Sequence, residues 1–509
     1  MKPLQRREFL KTAAAAELGV ALAPWWARAA ETPHAKPNIV MILADDWGYG
    51  DAKCYNPTGK ILTPNIDRLA REGMRFTDAH AAAAVCTPTR YGLLTGRYPW
   101  RTRLQNGVLM SMNEEPLIAE GRMTVPSLLK QSGYRTGMFG KWHLGQKSEN
   151  HNDYTLPMRG GPVDRGFDYF IGTESCSLPP YVFIENDRYM ARPTENCPSS
   201  MKDKLLHIKG GPMAPGWKWE DRLSILCEKA GNFIRETAKS GEPFFVYFAP
   251  PAPHYPVTPS ERFKGKSGIN LVADWFMETD WAFGEVLRAL DEAGVNDNTL
   301  VIFAADNGHD HESGMVDEFA QVGHKVSGPH RGVKASGYDG GHREPFVVRW
   351  PGVVKPGSDS DALVSLNSLM ATCADILGMK LPENAGEDSF SILPLLKGGD
   401  SRAHEHPHII TQSSMGQLSV RQGQWKYIAP PHLGLKLKNP KGESEGRELY
   451  DLVADPGEKN NLHVANKEKA EELHALLERL VAQGRTTPGE EQANDVPIEL
   501  VKQTWDQKK

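Results

Sequence analysis

The chain has 509 residues, of which 39% are hydrophobic, and 59 Lys and Arg residues against 64 Asp and Glu residues give it a formal charge of −5. This length allows two or three domains, or one large α/β domain with an appendage. The near-neutral charge without a basic block excludes a protein that binds nucleic acid through its phosphates. No apolar run of about 18 residues follows the N-terminal segment, so no membrane span is expected in the rest of the chain.

The N-terminal segment has the pattern of a twin-arginine export signal. The pair Arg6-Arg7 precedes the Ala-rich stretch 12–23, and Ala27-Arg28-Ala29 resembles a signal-peptide cleavage site. An amphipathic helix is the alternative interpretation of this segment. We predict a Tat-type signal peptide at residues 1–29, a mature chain that starts near Ala30, and a protein that is periplasmic or secreted.

Strand-like and helical patterns alternate through residues 30–400. The strand-like segments are continuous apolar runs, as in strands buried on both faces, and the helical segments repeat apolar residues at spacings of three and four. In chain order they are strand Asn38–Ala44, helix Pro64–Glu72, strand Phe244–Ala249, helix Asp274–Ala293, strand Leu300–Ala305 and strand Pro345–Trp350. The alternation predicts an α/β catalytic domain at residues 30–400 with a large, mostly parallel sheet flanked by helices.

The pattern changes near Lys397-Gly398-Gly399-Asp400, which marks a soft domain boundary. Residues 417–421 and 425–428 form short alternating segments typical of antiparallel strands, and residues 466–484 form a charged amphipathic helix. We therefore predict a smaller C-terminal α+β subdomain at residues 401–509 that contains an antiparallel sheet.

The six cysteines are too few and too scattered for a disulfide scaffold or a Cys-x2-Cys zinc site. Export to an oxidising compartment permits a disulfide such as Cys176 with Cys197. The sequence leaves this pairing open.

Two polar pairs directly follow two of the predicted strands. Asp45-Asp46 follows the first strand, and Asp306-Asn307 follows the strand that ends at Ala305. Ligands of open α/β sheets bind beyond the carboxyl ends of the strands, and carboxylate and amide oxygens are the donors that Ca²⁺ and Mg²⁺ prefer. Either pair alone is also compatible with a turn that ends a strand. Together they favour a metal site at this edge of the sheet.

A second motif, Cys86-Thr87-Pro88-Thr89-Arg90, is followed by Leu94-Thr95-Gly96-Arg97. These residues resemble the Cys-x-Pro-x-Arg signature of the type I sulfatases and the extension that follows it. Further segments resemble that family in the same order along nearly the whole mature chain, namely 38–51, 63–70, 140–145, 253–256, 306–308, 331–334, 340–345 and 449–456. The resemblance implies an alkaline phosphatase-like fold.

The resemblance implies that Cys86 is converted to formylglycine. The hydrate of this aldehyde offers a nucleophile with a second hydroxyl, so that the sulfated intermediate can eliminate sulfate without attack by water. The implied ligands of the metal, which is expected to be Ca²⁺ with Mg²⁺ as the alternative, are Asp45, Asp46, Asp306, Asn307 and the modified Cys86. A formylglycine-generating enzyme or a cysteine-type sulfatase-maturating enzyme is the implied partner.

The resemblance also implies a role for each of six side chains. Cleavage of a sulfate ester develops charge on the bridging oxygen, so the site needs cations for the sulfuryl oxygens and a proton donor for the leaving group. The implied catalytic residues are Cys86 as the precursor of the nucleophile, Arg90 as a donor to the hydrate, Lys141 and Lys334 at the sulfate oxygens, His254 as general acid and His143 as the group that deprotonates the second hydroxyl. The two histidine roles are interchangeable on the sequence alone.

The substrate is also expected to contact Lys141, His254 and Lys334. His324 lies ten residues before Lys334 in a loop that could face the substrate, although a surface role is equally compatible with its position. By contrast, His309 and His311 lie in an acidic loop and are expected to be solvated.

These features favour an exported sulfatase that acts on a sulfated carbohydrate or another sulfate ester. One alternative is a phosphoester or phosphonate hydrolase of the same superfamily, because the same kind of metal site serves phosphoryl transfer. A second alternative is a non-catalytic binding protein on this fold, since fold alone does not imply function. No pattern in the sequence identifies the sugar or the position of its sulfate group.

Overall fold

The computed structural model describes residues 36–400, 407–430 and 446–500. The signal peptide predicted at residues 1–29 and the domain boundary predicted at residue 401 lie outside these ranges and stay predictions.

The helices lie between the strands along the chain, as the sequence patterns predict. They are α1 (Pro64–Glu72), α2 (Cys86–Thr95), α3 (Val125–Gln131), α4 (Arg222–Ser240), α5 (Leu271–Glu292), α6 (Val316–Gln321), α7 (Leu369–Ile376), α8 (Leu393–Leu396) and α9 (Lys467–Ala482). The strands are β1 (Asn38–Ala44), β2 (Met74–Phe76), β3 (Ala79–His80), β4 (Arg135–Lys141), β5 (Lys147–Ser148), β6 (Met158–Arg159), β7 (Tyr169–Thr173), β8 (Ile184–Glu185), β9 (Arg188–Tyr189), β10 (Glu195–Cys197), β11 (Gly211–Met213), β12 (Phe244–Ala249), β13 (Thr299–Ala305), β14 (Phe346–Arg349), β15 (Ser358–Ser360), β16 (Val364–Ser365), β17 (Ile409–Gln412), β18 (Leu418–Gln422), β19 (Trp425–Ile428) and β20 (Glu448–Asp451).

Within the described residues, the main sheet has ten strands in the order β15-β2-β14-β13-β1-β12-β4-β7-β8-β9. Its five central strands, from β13 to β7, are parallel. Strand β14 pairs antiparallel with β13 and β2, and β8 pairs antiparallel with β7. The predicted large and mostly parallel sheet is confirmed, with antiparallel strands on both sides of its centre.

Helices cover both faces of this sheet. The side chains of β1 alternate between two hydrophobic cores: Ile39 and Met41 pack with residues of α2, α3 and α7, whereas Val40 and Ile42 pack with residues of α1, α4 and α5. This double burial explains why β1 is a continuous apolar run. It also leaves the ends of the strands as the places where polar side chains can gather.

The predicted elements recur with small shifts at their ends. Helix α1 has the predicted bounds, but α5 begins at Leu271 instead of residue 274. The earlier start has a local cause, because the side chain of Asn270 accepts a hydrogen bond from the backbone N–H of Ala273 and caps the helix.

A separate four-stranded antiparallel sheet, β17-β18-β19-β20, lies near the C-terminus and packs against α9, as predicted for the C-terminal subdomain. Buried ion pairs join it to the part of the chain that forms the main sheet. Lys426 of β19 donates to Asp339 and to Glu458, both at 2.8 Å, and Arg421 of β18 pairs with Asp78 at 2.7 Å.

In the part of the chain that the structure describes, no helix combines the length and the apolar character that crossing a bilayer requires.

Candidate active site

The two predicted polar pairs meet at the carboxyl edge of the sheet. Strands β1 and β13 run parallel with Ala44 opposite Ala305, so the residues that follow them lie side by side. The backbone N–H of Asp46 donates to Asp306 at 3.1 Å, and the amide of Asn307 donates to the Asp46 carboxylate at 2.7 Å. Asp45, Asp46, Asp306 and Asn307 are all buried.

Cys86 lies at the first position of α2, directly beside these carboxylates. Its sulfur and one carboxylate oxygen each from Asp45 and Asp306 all lie within 4.8 Å of one another. Burial raises the pKa of the Cys86 thiol above its usual value, although the charges of Lys141 and Lys334 act in the opposite direction. The helix therefore places residue 86 among the oxygen donors.

Arg90 follows Cys86 by one turn of α2 and is completely buried. Its guanidinium donates to one oxygen of Asp306 through two nitrogens, at 3.0 and 2.6 Å, and to the backbone carbonyl of Lys141 at 3.0 Å. These bonds fix the start of α2 against the ends of β13 and β4.

Two lysines face the carboxylates from different segments. Lys141 ends β4 and donates to both oxygens of Asp45, at 3.0 and 2.9 Å. Lys334, from the loop before β14, donates to Asp46 at 2.6 Å. Burial alone would raise the pKa of Asp45, but Lys141, with smaller contributions from other cations, holds it well below its usual range.

The hydrogen bonds of His143 and His254 define their tautomers. Nε2 of His143 donates to the Leu109 carbonyl at 2.9 Å, so Nδ1 is the bare nitrogen. Nδ1 of His254 donates to the Tyr255 carbonyl at 2.6 Å, and its Nε2 lies 3.7 Å from Asp46. Burial lowers the pKa of His254 to about 4 and the pKa of His143 well below its usual value.

The four oxygen-bearing residues fit a hard divalent cation. Burial raises the pKa of Asp306 to about 7, and the neighbouring charge of Asp45 adds to this shift. The side-chain oxygen of Asn307 is buried and has no hydrogen-bond partner among the described residues. Because unpartnered buried oxygens are costly and because carboxylate and amide oxygens suit Ca²⁺ or Mg²⁺, the residues present match the predicted ion.

Two residues that the sequence analysis did not assign also lie here. The Cys176 thiol donates to Asp45 at 3.1 Å and is buried. The Glu344 carboxyl is buried, neither of its oxygens has a partner within the described ranges, and burial with the charges of Asp306 and Asp46 raises its pKa well above the usual value. Glu344 falls in the segment 340–345 that resembles the sulfatases, whereas Cys176 belongs to no motif.

Three further expectations concern His324, the histidines of the acidic loop and the cysteines. Both ring nitrogens of His324 are bonded within the protein, to Asp51 at 2.8 Å and to the backbone N–H of Lys60 at 3.0 Å, and its contact with the substrate stays a prediction. The prediction that His309 is solvated is wrong, since it is buried and bonds to Asp51 at 2.6 Å, whereas His311 is exposed. All six cysteines, which lie in described segments, are unpaired.

Comparison with known proteins matches most of the chain to sulfatases. The family model described as Sulfatase matches residues 37–379, and the model described as N-sulphoglucosamine sulphohydrolase, C-terminal, matches residues 333–486. N-acetylgalactosamine-6-O-sulfatase of Bacteroides thetaiotaomicron is 39% identical over 481 residues, which cover 87% of this chain and 93% of the relative. Human arylsulfatase A is 33% identical over 455 residues, which cover 84% of this chain and 83% of the relative.

Solved structures agree with these matches. A structure from work on the metabolism of multiple glycosaminoglycans by Bacteroides thetaiotaomicron superposes with a TM-score of 0.78 at 36% identity, covering 87% of this chain and 99% of that chain. Ps i-CgsB in complex with k-i-k-neocarrahexaose superposes with a TM-score of 0.69 at 26% identity, covering 87% and 92%. The chain therefore belongs to the sulfatase family, within the alkaline phosphatase-like superfamily, and is a sulfuric ester hydrolase.

Proposed function

We propose that the chain is an exported sulfatase that removes sulfate from a sulfated carbohydrate with a formylglycine made from Cys86. The observation that carries the proposal is the placement of Cys86 within 4.8 Å of carboxylate oxygens of Asp45 and Asp306. Asp45, Asp46, Asp306, Asn307 and residue 86 would hold Ca²⁺, with Mg²⁺ as the alternative. When bound, such an ion neutralises charge on sulfuryl oxygens and polarises the nucleophile.

The cationic side chains provide the binding site for the sulfate group. Lys141 and Lys334 carry compact charges at two different carboxylates of the cluster, Asp45 and Asp46, where they can contact sulfuryl oxygens. Arg90 is held by Asp306 and orients residue 86 from the next turn of the same helix. The hydrate at position 86 supplies one hydroxyl that attacks sulfur and a second whose deprotonation expels sulfate.

The two histidines divide the proton transfers. We assign His143 as the base for the second hydroxyl, because its Nε2 is committed to the Leu109 carbonyl and its buried Nδ1 has no partner among the described residues. We assign His254 as the general acid for the leaving alcohol, because its Nε2 is the nitrogen turned toward the cluster, 3.7 Å from Asp46. This role requires a second proton on the ring at Nε2, which the negative charge of a bound sulfate ester favours.

The substrate and the location rest on similarity and on the N-terminal pattern. One relative is named N-acetylgalactosamine-6-O-sulfatase, and Ps i-CgsB was solved with a hexasaccharide, which supports a carbohydrate substrate. The first substrate to test is therefore 6-sulfated N-acetylgalactosamine. The Tat-type pattern at residues 1–29 supports a periplasmic or secreted enzyme, and conversion of Cys86 requires a maturating enzyme in the same host.

Sulfate release by protein from a maturation-competent host tests this function. We expect hydrolysis of 6-sulfated N-acetylgalactosamine or 4-nitrophenyl sulfate by the wild type and by Cys54→Ala, a matched control in a cysteine outside the cluster. Cys86→Ala should be inactive, because no nucleophile can form. Activity of Cys86→Ala equal to wild type would exclude the mechanism. Hydrolysis of 4-nitrophenyl phosphate but of neither sulfate ester would favour the phosphoester hydrolase.

A further inference from the structure

A cavity of about 150 Å³ is lined by segments that short stretches of chain join to the catalytic centre. Its walls come from residues 111–113, residues 148–158 and the turn at Pro179-Pro180, together with Tyr189 and Pro212. This volume is well below the ~300 Å³ at which sites for drug-sized ligands begin. The cavity is therefore about large enough for one small polar ring.

The first wall, residues 111–113, is joined to α2 by a hydrogen bond two residues earlier in the chain. The backbone N–H of Leu109 donates to the Thr87 hydroxyl at 3.3 Å, and the Leu109 carbonyl accepts from His143. Ser111, which lines the cavity, is two residues further along the chain. Because a chain advances at most ~3.6 Å per residue, Ser111 lies no more than about 7 Å from Leu109.

The other two walls also start at the catalytic centre. Cys176 donates to Asp45, and Pro179 follows three residues later, at most about 11 Å away. Ser148 follows His143 by five residues, and its N–H donates to the Asn113 side chain at 2.8 Å, which joins this wall to the first. Three segments thus lead from the catalytic centre to the same cavity, which is within reach of a sugar unit linked to the sulfated one.

The lining has the chemistry of a sugar site. Tyr154 and Tyr189 meet edge to face with ring centroids 5.5 Å apart, and within the described segments neither hydroxyl has a hydrogen-bond partner. Asp153 uses one carboxylate oxygen for the N–H and hydroxyl of Thr155, which leaves the other as an acceptor. Aromatic faces pack against the C–H faces of sugars, and a carboxylate accepts from sugar hydroxyls.

The charge of the lining selects against anionic units. The residues that line the cavity include Asp153 and His151 but neither lysine nor arginine. A sulfate or carboxylate placed here would face the Asp153 carboxylate with no lysine or arginine in the lining to offset it. We propose that this cavity binds the uncharged sugar unit adjacent to the sulfated one, so that the enzyme prefers a sulfated unit linked to a neutral sugar over the isolated sulfated monosaccharide. This inference rests on the proposed function.

The kinetic test compares three probes: 6-sulfated N-acetylgalactosamine alone, the same unit linked to galactose, and the same unit linked to glucuronate. We expect kcat/KM for the galactose-linked probe to exceed that for the monosaccharide at least about ten-fold, and the glucuronate-linked probe to lack this gain. Asp153→Asn keeps the acceptor that caps Thr155, so the local turn survives, and the preference should fall toward one.

Asp297→Asn is the matched control, because Asp297 is exposed at the opposite edge of the sheet, just before β13, and should keep the wild-type preference. Equal kcat/KM values for all three probes, or a preference that survives Asp153→Asn, would overturn the inference while leaving the proposed function intact. Absence of hydrolysis of every sulfate ester would instead contradict the proposed function.

Binding without turnover tests the cavity separately. Lactose, titrated into the full chain and followed by NMR, should bind at millimolar concentration and lose affinity several-fold in Tyr189→Ala and Asp153→Asn. No detectable binding at that concentration, or binding that both variants retain, would contradict the inference whatever the activity of the enzyme.

Discussion

Lys141 donates hydrogen bonds to both oxygens of Asp45, although their strands β4 and β1 are separated in the sheet by β12. Both side chains are buried. A lysine that reaches across a strand at the carboxyl edge brings a positive charge to the start of α2, where Cys86 lies. This contact therefore fixes a positive charge of the site from within the sheet.

Replacing Lys141 tests that arrangement. Lys141→Met removes the charge nearest Asp45, and kcat/KM for a sulfate ester should fall by about 10²-fold or more, as for other groups that stabilise developing charge. Lys355→Met, at an exposed lysine, is the matched control and should retain activity. A thermal melt must show that the variant is folded, and a change below about two-fold in folded protein would exclude the proposed role.

The carboxylate cluster predicts stabilisation by a divalent ion. At a Ca²⁺ concentration 100 times its Kd, binding should add about 2.7 kcal/mol to the free energy of unfolding, visible as a higher Tm than in EDTA. Asn307→Ala removes an oxygen donor and should reduce the shift, whereas Asn460→Ala, at an exposed position, should not. The same Tm in EDTA and in Ca²⁺ would argue against an ion at this cluster.

The buried ion pairs of the C-terminal sheet predict a large loss of stability when their lysine is replaced. Lys426→Met leaves the buried carboxyls of Asp339 and Glu458 without the cation they share, which should cost about 3–5 kcal/mol of stability. Lys469→Met breaks only a pair with the exposed Glu472 on α9 and should cost less than about 1 kcal/mol. Urea unfolding of both variants measures the contrast, and equal costs would refute it.

His408 predicts a pH dependence of stability. Burial lowers the pKa of His408 to about 4, although Asp388 acts in the opposite direction. In the unfolded chain this histidine gains a proton as the pH falls through about 6.5, whereas in the folded chain burial keeps the ring neutral there. The contribution of the neutral ring to the free energy of unfolding is therefore present above that pH and is lost as the pH falls. From about pH 7.5 to about pH 5.5 the loss should be about 1 kcal/mol.

His408→Gln should remove that part of the pH dependence, measured by urea unfolding at both pH values. The exposed His311 offers the control, because His311→Gln should leave the dependence as in the wild type. If His408→Gln and wild type lost the same stability between the two pH values, His408 would not be the group responsible.

The clustering of polar side chains at the sheet edge is predictable where strand periodicity and motifs agree. The pairs that follow β1 and β13 could be placed together because adjacent parallel strands end at one edge. Cys176 could not be found in this way, because its distance from Asp45 depends on the path of the loop after β7. Such a path is determined by packing at long range, which local sequence patterns do not encode.

The histidines that bond to Asp51 show a second limit. His309 lies in an acidic loop that predicts a solvated side chain, yet the rings of His309 and His324 bond to the two oxygens of Asp51. The sequence gives no sign of this, since Asp51 is more than 250 residues earlier in the chain. Buried ion pairs of this kind appear polar in the sequence and become recognisable only in the folded structure.

The most direct test of the account is the mass of the peptide that contains Cys86, from protein made in its native or a maturation-competent host. Formylglycine at position 86 predicts a mass about 18 Da lower than that of the cysteine peptide. Unmodified cysteine in active protein would contradict the account, because the proposed nucleophile would then be absent from an enzyme that still releases sulfate.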